Sequence, residues 1–241
     1  MGRIPHSVWL ALAVTRYAIA SLVRMGRSRE VQLLPTPHLI NLPSRRDRLD
    51  AVTQVLNRVG LVAKHVSGVE HSNGAIGCAL AHRNLLREAR ATRAESVWII
   101  EDDTDFVVDK SELERLVAQF LASPGIDVFC LSHLTPKSTL PISKDFAITV
   151  STYTTACYLV KPWAMAALEK SFTKSAYMLS LGSPRQAAAI DVYWRRLQKR
   201  KLVFCVPRRE VAFQVPSFSD IEGEKVDYFQ RAEAGKSLGT S

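Results

Sequence analysis

Three short apolar runs, "HLINL" (38–42), "VAKHV" (62–66) and "SVWII" (96–100), are separated by longer stretches with helical periodicity. This alternation constrains the fold more than any other feature of the chain. Runs of this length suit buried strands, and the stretches between them are long enough to cross over and return. The polar turn "PSRRDR" leads into a helix from about 49 to 59, ended by Gly60. Gly74 and Gly77 flank a turn into a second helix, from about 78 to 92. A βαβαβ order of this kind predicts a mostly parallel, doubly wound α/β sheet whose ligands bind beyond the carboxyl ends of the strands.

Further along, a helix is expected near 111–121, a strand at 127–131, and a Pro/Ser/Lys-containing loop at about 134–145. Strands near 147–152 and 155–160 precede a helix starting at Pro162, and "KLVFCVP" (201–207) reads as a last strand. The chain has 241 residues, 47% of them hydrophobic, enough for one substantial core. Three segments result: a basic helix and link at 1–34, one α/β domain at 35–223, and a mobile tail at 224–241 where periodicity is lost.

Lys and Arg exceed Asp and Glu by 32 to 23, a net charge of +9, which favours anionic partners. Cys78, Cys130, Cys157 and Cys205 stand apart beside apolar residues with no C-x-x-C pair. They read as buried thiols in a reducing compartment, with a disulfide between strands left open. In the N-terminal segment, Val8 to Val23 is nearly all apolar but is interrupted by Arg16 and short for a membrane span. At 100° per residue, Arg3, His6, Arg16, Arg24 and Arg27 fall on one arc and Val8, Ala11, Leu12, Ala18, Ile19 and Leu22 on the other, with Trp9 and Leu10 on the polar side. Such a basic amphipathic helix either lies in an anionic membrane interface or packs on the domain with its arginines in solvent. A signal peptide is the third reading.

The third apolar run ends in Glu101, Asp102, Asp103 and, after Thr104, Asp105. Carboxylates this close raise one another's pKa unless a cation or hydrogen-bond donors share the site. A D-x-D-like pair, Glu101 and Asp103, could hold Mn²⁺ or Mg²⁺ against the diphosphate of a nucleotide sugar. The plain alternative is a solvated acidic turn. "DTDFV" (103–107) also fits the nucleophile motif of haloacid-dehalogenase-like phosphatases, with Asp103 attacking and Asp105 as acid/base, although no later pair of acids completes that site.

Two other stretches carry chemistry-bearing groups. Arg45, Arg46 and Arg48 crowd the loop after the first strand, where they pair with phosphates or simply form a solvated basic turn. "NGAIGCALAHRNLLREA" (73–89) runs a glycine turn into a helix carrying His82, and a lone helical histidine is usually a packed or capping side chain. "RRLQKRK" (195–201) has five cations in seven residues, a solvated helix face unless it meets anionic lipid or acceptor phosphates. Without aromatic interleaving or a nucleic-acid motif, no nucleic-acid partner is expected.

"INLPSRRDRLDAV", "GAIGCALAHRNLLREA", "VWIIEDDTDF", "TYTTACYLVKPWAMAAL", "AIDVYW" and "VAFQVPSFSDI", taken in order, resemble the pattern of glycosyltransferase family 25. That family includes lipooligosaccharide and collagen galactosyltransferases. The resemblance spans about 39 to 221 and implies a GT-A-like (Rossmann-type) fold, a divalent metal, and a UDP-sugar donor, typically UDP-galactose. It also implies transfer to a hydroxyl of a cell-surface glycan or lipid-linked saccharide, at the cytoplasmic face of a membrane.

Carried over residue by residue, the resemblance implies Asn41, Arg45, Arg46 and Arg48 near the nucleotide, with Gly74, Gly77, Cys78 and His82 in the second block. Glu101 and Asp103 become the metal ligands and Asp102 part of the diphosphate site. Gln214, Ser219 and Asp220 match the final block. Asp191 becomes the base of an inverting transfer, with a helix N-cap or an ion pair to Arg195 as the plain alternatives. Ala81 and Ala189 depart from the family's usual serine and proline, which keeps open a catalytically inactive binding protein of the same fold.

Overall fold

The computed structural model of the chain describes residues 4–25, 34–135 and 137–215, together with the backbone of 217–219 and 224–226. The three apolar runs become β1 (Pro37–Asn41), β2 (Lys64–Ser67) and β3 (Val97–Glu101), which pair in parallel in the order β2-β1-β3. The crossovers are α2 (Arg46–Arg58) and α3 (Gly74–Ala91). Both helices start earlier than expected. The Arg45 amide bonds the Leu42 carbonyl at 2.9 Å, closing the turn within 42–45. Helix α2 then begins at Arg46 with Asp47 in its first turn, where an acid suits the positive helix end. The Asn73 side chain caps α3 by accepting from the Ala75 amide at 3.1 Å, so Gly74 and Gly77 lie inside the helix rather than flanking a turn.

After β4 (Thr104–Phe106) come α4 (Lys110–Ala122), β5 (Val128–Cys130), β6 (Leu140–Pro141), β7 (Phe146–Thr149) and β8 (Cys157–Val160). Helix α5 (Pro162–Ser180) places Pro162 in its first turn, where the missing amide hydrogen costs nothing. The short helices α6 (Arg185–Ala188), α7 (Ile190–Tyr193) and α8 (Arg195–Arg200) follow, then β9 (Phe204–Pro207) and β10 (Ala212–Gln214). The expected strand from 201 is shortened because the Lys201 and Leu202 amides bond the Leu197 carbonyl at 2.8 and 2.9 Å and so close the end of α8. Strands β11 (Ser217–Ser219) and β12 (Glu224–Val226) form an antiparallel ribbon, so a tail boundary at 223 cuts through a paired element.

The main sheet has the order β2-β1-β3-β8-β5-β9-β7-β6. Six of its strands run one way, and β8 and β7 run against them. It is the expected α/β architecture, a mixed and mostly parallel sheet between helices, with an additional N-terminal helix. Both faces are covered, and the strands alternate accordingly. Val97 and Ile99 join the core under α3 and α5, while Trp98 and Ile100 join the core under α2 and α4. Two buried faces account for strands that are apolar without interruption.

The N-terminal helix α1 (His6–Arg24) corrects one sequence expectation for this segment, that its arginines lie in solvent. It packs on the domain, but with its basic side inward. The Arg16 guanidinium donates to the Gln198 carbonyl at 2.9 Å. Arg24 donates to Asp127 Oδ1 at 2.8 Å and to the Pro124 carbonyl at 3.1 Å, and stacks 4.4 Å from the Trp163 ring centre. Trp9, Leu10, Ala13, Val14 and Tyr17 pack against Ile148, Val150 and Val203. Gly125 makes the close approach possible, since a Cβ there would stand 2.7 Å from the Tyr17 ring. The arginines turn inward because buried acceptors, above all Asp127, wait for them, and a helical projection contains no such information.

Candidate active site

The carboxyl ends of β1 and β3 open on one cleft, lined among others by Asn41, Arg48, His71, Gly77, Cys78, His82, Glu101, Asp102, Asp103 and Gln214, with a volume of about 180 Å³. Its floor is the acidic turn. Asp102 accepts from Asn41 Nδ2 and from Arg48 Nη1, both at 2.8 Å. Asp103 Oδ2 accepts from Gln214 Nε2 at 2.9 Å, because β10 pairs with β4 and carries Gln214 alongside. Asp103 Oδ1 is buried with no hydrogen-bond partner among the described residues. Glu101 Oε1 lies 3.2 Å from His82 Nε2, and His82 Nδ1 shares a hydrogen bond of 2.9 Å with the Tyr158 hydroxyl. His82 is therefore packed, as lone helical histidines usually are, yet its second nitrogen faces the acids.

The electrostatics divide the three acids. Burial, then the charges of Glu101 and Asp102, push Asp103 up to about 7, against the donor bond from Gln214 and the pull of Arg48. Burial also raises Asp102, opposed by Arg48 and Asn41. For Glu101 burial is outweighed by His82, Thr155 and Arg48, which hold it below its ordinary value. Glu101 thus stays ionised while Asp103 is protonated in about half of the molecules at neutral pH, a proton that a bound cation would displace.

An unpartnered carboxylate oxygen beside a second, ionised carboxylate fits a hard divalent cation such as Mn²⁺ or Mg²⁺. A softer set is also near, because ligand atoms of Cys78, His82 and Glu101 lie within 4.8 Å of one another. Burial and the neighbouring acids Glu101, Asp191 and Asp103 push the Cys78 thiol well up, away from the thiolate that zinc requires. The oxygen pair is the better cation site.

A second cavity of about 100 Å³ shares Cys78, Glu101 and Gln214 with the first and adds Thr154, Thr155, Arg185 and Asp191. Asp191 occupies the first turn of α7, whose N-cap is Ala189, so it is not the capping residue. Arg195 instead donates to the Tyr153 hydroxyl and stacks on that ring, so neither plain reading of Asp191 is realised. Burial raises the Asp191 carboxyl, with the Thr154 and Val192 amides opposing.

Of the loop arginines, Arg48 faces the cleft, whereas Arg45 bonds Asp47 and Arg46 is exposed at the start of α2. Gly77 is required where it is, because a Cβ there would run into the Val69 carbonyl oxygen and force α3 off the 68–72 loop. Asp220 lies outside the described residues, as does the side chain of Ser219. Asp105 is ion-paired with Arg58 of α2 and bonds its own neighbour's amide at 2.6 Å. The second acid of the phosphatase motif is therefore committed elsewhere. Sequence reasoning missed Tyr158, Arg185 and Thr154. Thr154 holds a φ of 65°, costly for a β-branched residue, and donates to Gln214 Oε1 at 3.0 Å. Nothing local to "TYTTACY" marks it.

No protein-family model matches the chain, and no curated protein matches it. Solved structures overlap it loosely. A glycosyltransferase involved in glycosylation of the major capsid of PBCV-1 is 10% identical, with a TM-score of 0.43 over 83% of this chain and 98% of that one. A UDP-glucose pyrophosphorylase complexed with UDP-glucose is 10% identical, with a TM-score of 0.42 over 93% and 87%. Mouse xyloside xylosyltransferase 1 is 10% identical, with a TM-score of 0.37 over 80% and 79%. Overlaps this loose carry no functional argument, and the chemistry of the cleft has to do so.

Proposed function

We propose that the protein is a metal-dependent, inverting glycosyltransferase that moves a sugar, galactose in the first instance, from a UDP-sugar to a hydroxyl of a cell-surface glycan or lipid-linked saccharide on the cytoplasmic side. The observation that supports this reading is the buried Asp103 oxygen, without a partner among the described residues, beside Glu101 in a cleft that shares Cys78, Glu101 and Gln214 with the cavity of Asp191. Glu101 and Asp103 would hold Mn²⁺ or Mg²⁺, which neutralises charge on the leaving diphosphate. Arg48 and Asn41 fix Asp102 and so the shape of the acidic turn. In the transfer, the acceptor oxygen bonds to the anomeric carbon, the bond from that carbon to the diphosphate breaks, and UDP leaves. Asp191, raised by burial toward the pH at which a base works best, takes the acceptor proton.

The test is thermal stability of the wild type and of Asp103→Asn with UDP, with UDP plus Mn²⁺, and with GDP plus Mn²⁺, followed by turnover of UDP-sugars. A ligand at a hundred times its Kd adds about 2.7 kcal/mol, several degrees for a domain of this size. The expected result is a UDP shift that needs Mn²⁺ and vanishes in the variant. No shift with any nucleotide sinks the donor site, and a shift without turnover of any UDP-sugar leaves the inactive binding protein.

A further inference from the structure

Helix α1 is long and apolar enough to cross a membrane by length and composition, yet it lies along the domain, fixed through Arg16, Tyr17 and Arg24. What it turns outward is apolar. Val8, Leu12, Ile19, Leu22 and Val23 are 44%, 45%, 56%, 72% and 73% exposed. At 100° per residue they occupy an arc of about 100°. Thr15 falls within that arc, but its hydroxyl is spent on the Ala11 carbonyl at 3.1 Å, so it presents its methyl group without an open donor. Aliphatic side chains this exposed and this contiguous mark a contact surface.

The identity of the occupant follows from charge. Residues 6–24 contain no acid. On one flank α1 packs against α8, through the bond from Arg16 to the Gln198 carbonyl. Helix α8 and the residue after it carry Arg195, Arg196, Lys199, Arg200 and Lys201 with no acid among them. Burial, then the charges of Arg195, Lys137 and Arg200, depress the Lys199 ammonium, which places these cations around Lys199. At the other end of α1, His6 Nε2 meets the Ser138 carbonyl at 2.9 Å, next to Lys137. An interfacial helix normally brings its own cations on the face opposite the apolar one. Here those cations are used to hold the helix to the protein, and α8 with Lys137 supplies replacements beside the stripe.

We infer that the outward face of α1 lies in the interface of an anionic lipid bilayer, with the basic residues of α8 against the headgroups. An aliphatic stripe bordered by like positive charge repels a second copy of itself and attracts anionic lipid. The assignment is independent of the reaction in the cleft.

The experiment is co-sedimentation of the full chain with vesicles of phosphatidylcholine alone and with 30% phosphatidylglycerol, at low and at 0.5 M salt, paired with sedimentation velocity without lipid. The variants are Leu12→Glu with Leu22→Glu, and Lys199→Glu with Arg200→Glu. The wild type is expected to be monomeric and to pellet with anionic vesicles, at least tenfold more strongly than with neutral ones. High salt and either variant pair should reduce that binding at least tenfold. Leu12 and Leu22 are exposed, so an unchanged melting temperature separates lost binding from lost folding. No wild-type binding to anionic vesicles overturns the inference. A lipid-independent dimer that the leucine variants dissociate overturns it in favour of a second copy, and equal binding to neutral vesicles overturns the role of α8.

Discussion

At the scale of the residue, the site turns on two carboxyls in different surroundings. Asp191→Asn should leave the Mn²⁺-dependent UDP shift intact and lower transfer by 10² or more, the usual contribution of a positioned base. A matching loss of UDP binding would remove Asp191 from that role. Asp103 gives a pH prediction with a defined sign. Its carboxyl titrates near 7 in the folded chain, against 3.8 for the ordinary group. The folded state thus keeps a proton that the unfolded state has released, and metal-free stability falls as pH rises from about 4 through 7. Chemical denaturation between pH 5 and 8.5 should follow that fall, by a few kcal/mol at most. Asp103→Asn should flatten it, because the amide is neutral throughout, and Mn²⁺ should flatten it by displacing the proton. Glu101 and Asp103 could be singled out in the sequence because carboxylates crowded at the end of an apolar strand call for a cation or for hydrogen-bond donors. Tyr158, Thr154 and Arg185 were not, since each reaches the site across a separation that only the sheet closes.

At the scale of the element, the parallel front half was legible because the spacing of 38–42, 62–66 and 96–100 permits little else. Helix α1 was legible as a helix, but the docking of its basic side on the domain was not. Its hydrophobic periodicity is real, but which side meets the protein depends on Asp127, Gln198 and Gly125, more than a hundred residues away. Gly125 offers a clean test of that docking. Gly125→Ala places a methyl group against Tyr17 and Ser21. Amide exchange across 6–24 should accelerate at least tenfold while that of α3 stays unchanged, as mass spectrometry can follow. Equal protection of α1 in both proteins would mean that the helix is not held where it lies.

At the scale of the whole molecule, the two cores meet through a sheet whose middle is the antiparallel pairing of β3, β8 and β5. Strand β8 belongs to neither half alone. Guanidinium unfolding should therefore give coincident transitions by circular dichroism and by tryptophan fluorescence, since Trp98 and Trp194 report from opposite faces of that sheet. Two separated transitions would contradict the continuous core. Strand order was the least legible feature of the chain, because an apolar run carries no mark of its direction or neighbours, and 157–160 reads like any buried strand. The bond from Arg16 to Gln198 spans 182 residues. During synthesis at ~5–20 residues per second, α1 leaves the ribosome roughly 10–40 s before α8 exists to receive it. Throughout that interval an apolar helix whose seat still lacks α8 is open to capture by a targeting factor, a chaperone or a lipid surface. Helix α8, the last among the described residues, therefore completes the seat of the first.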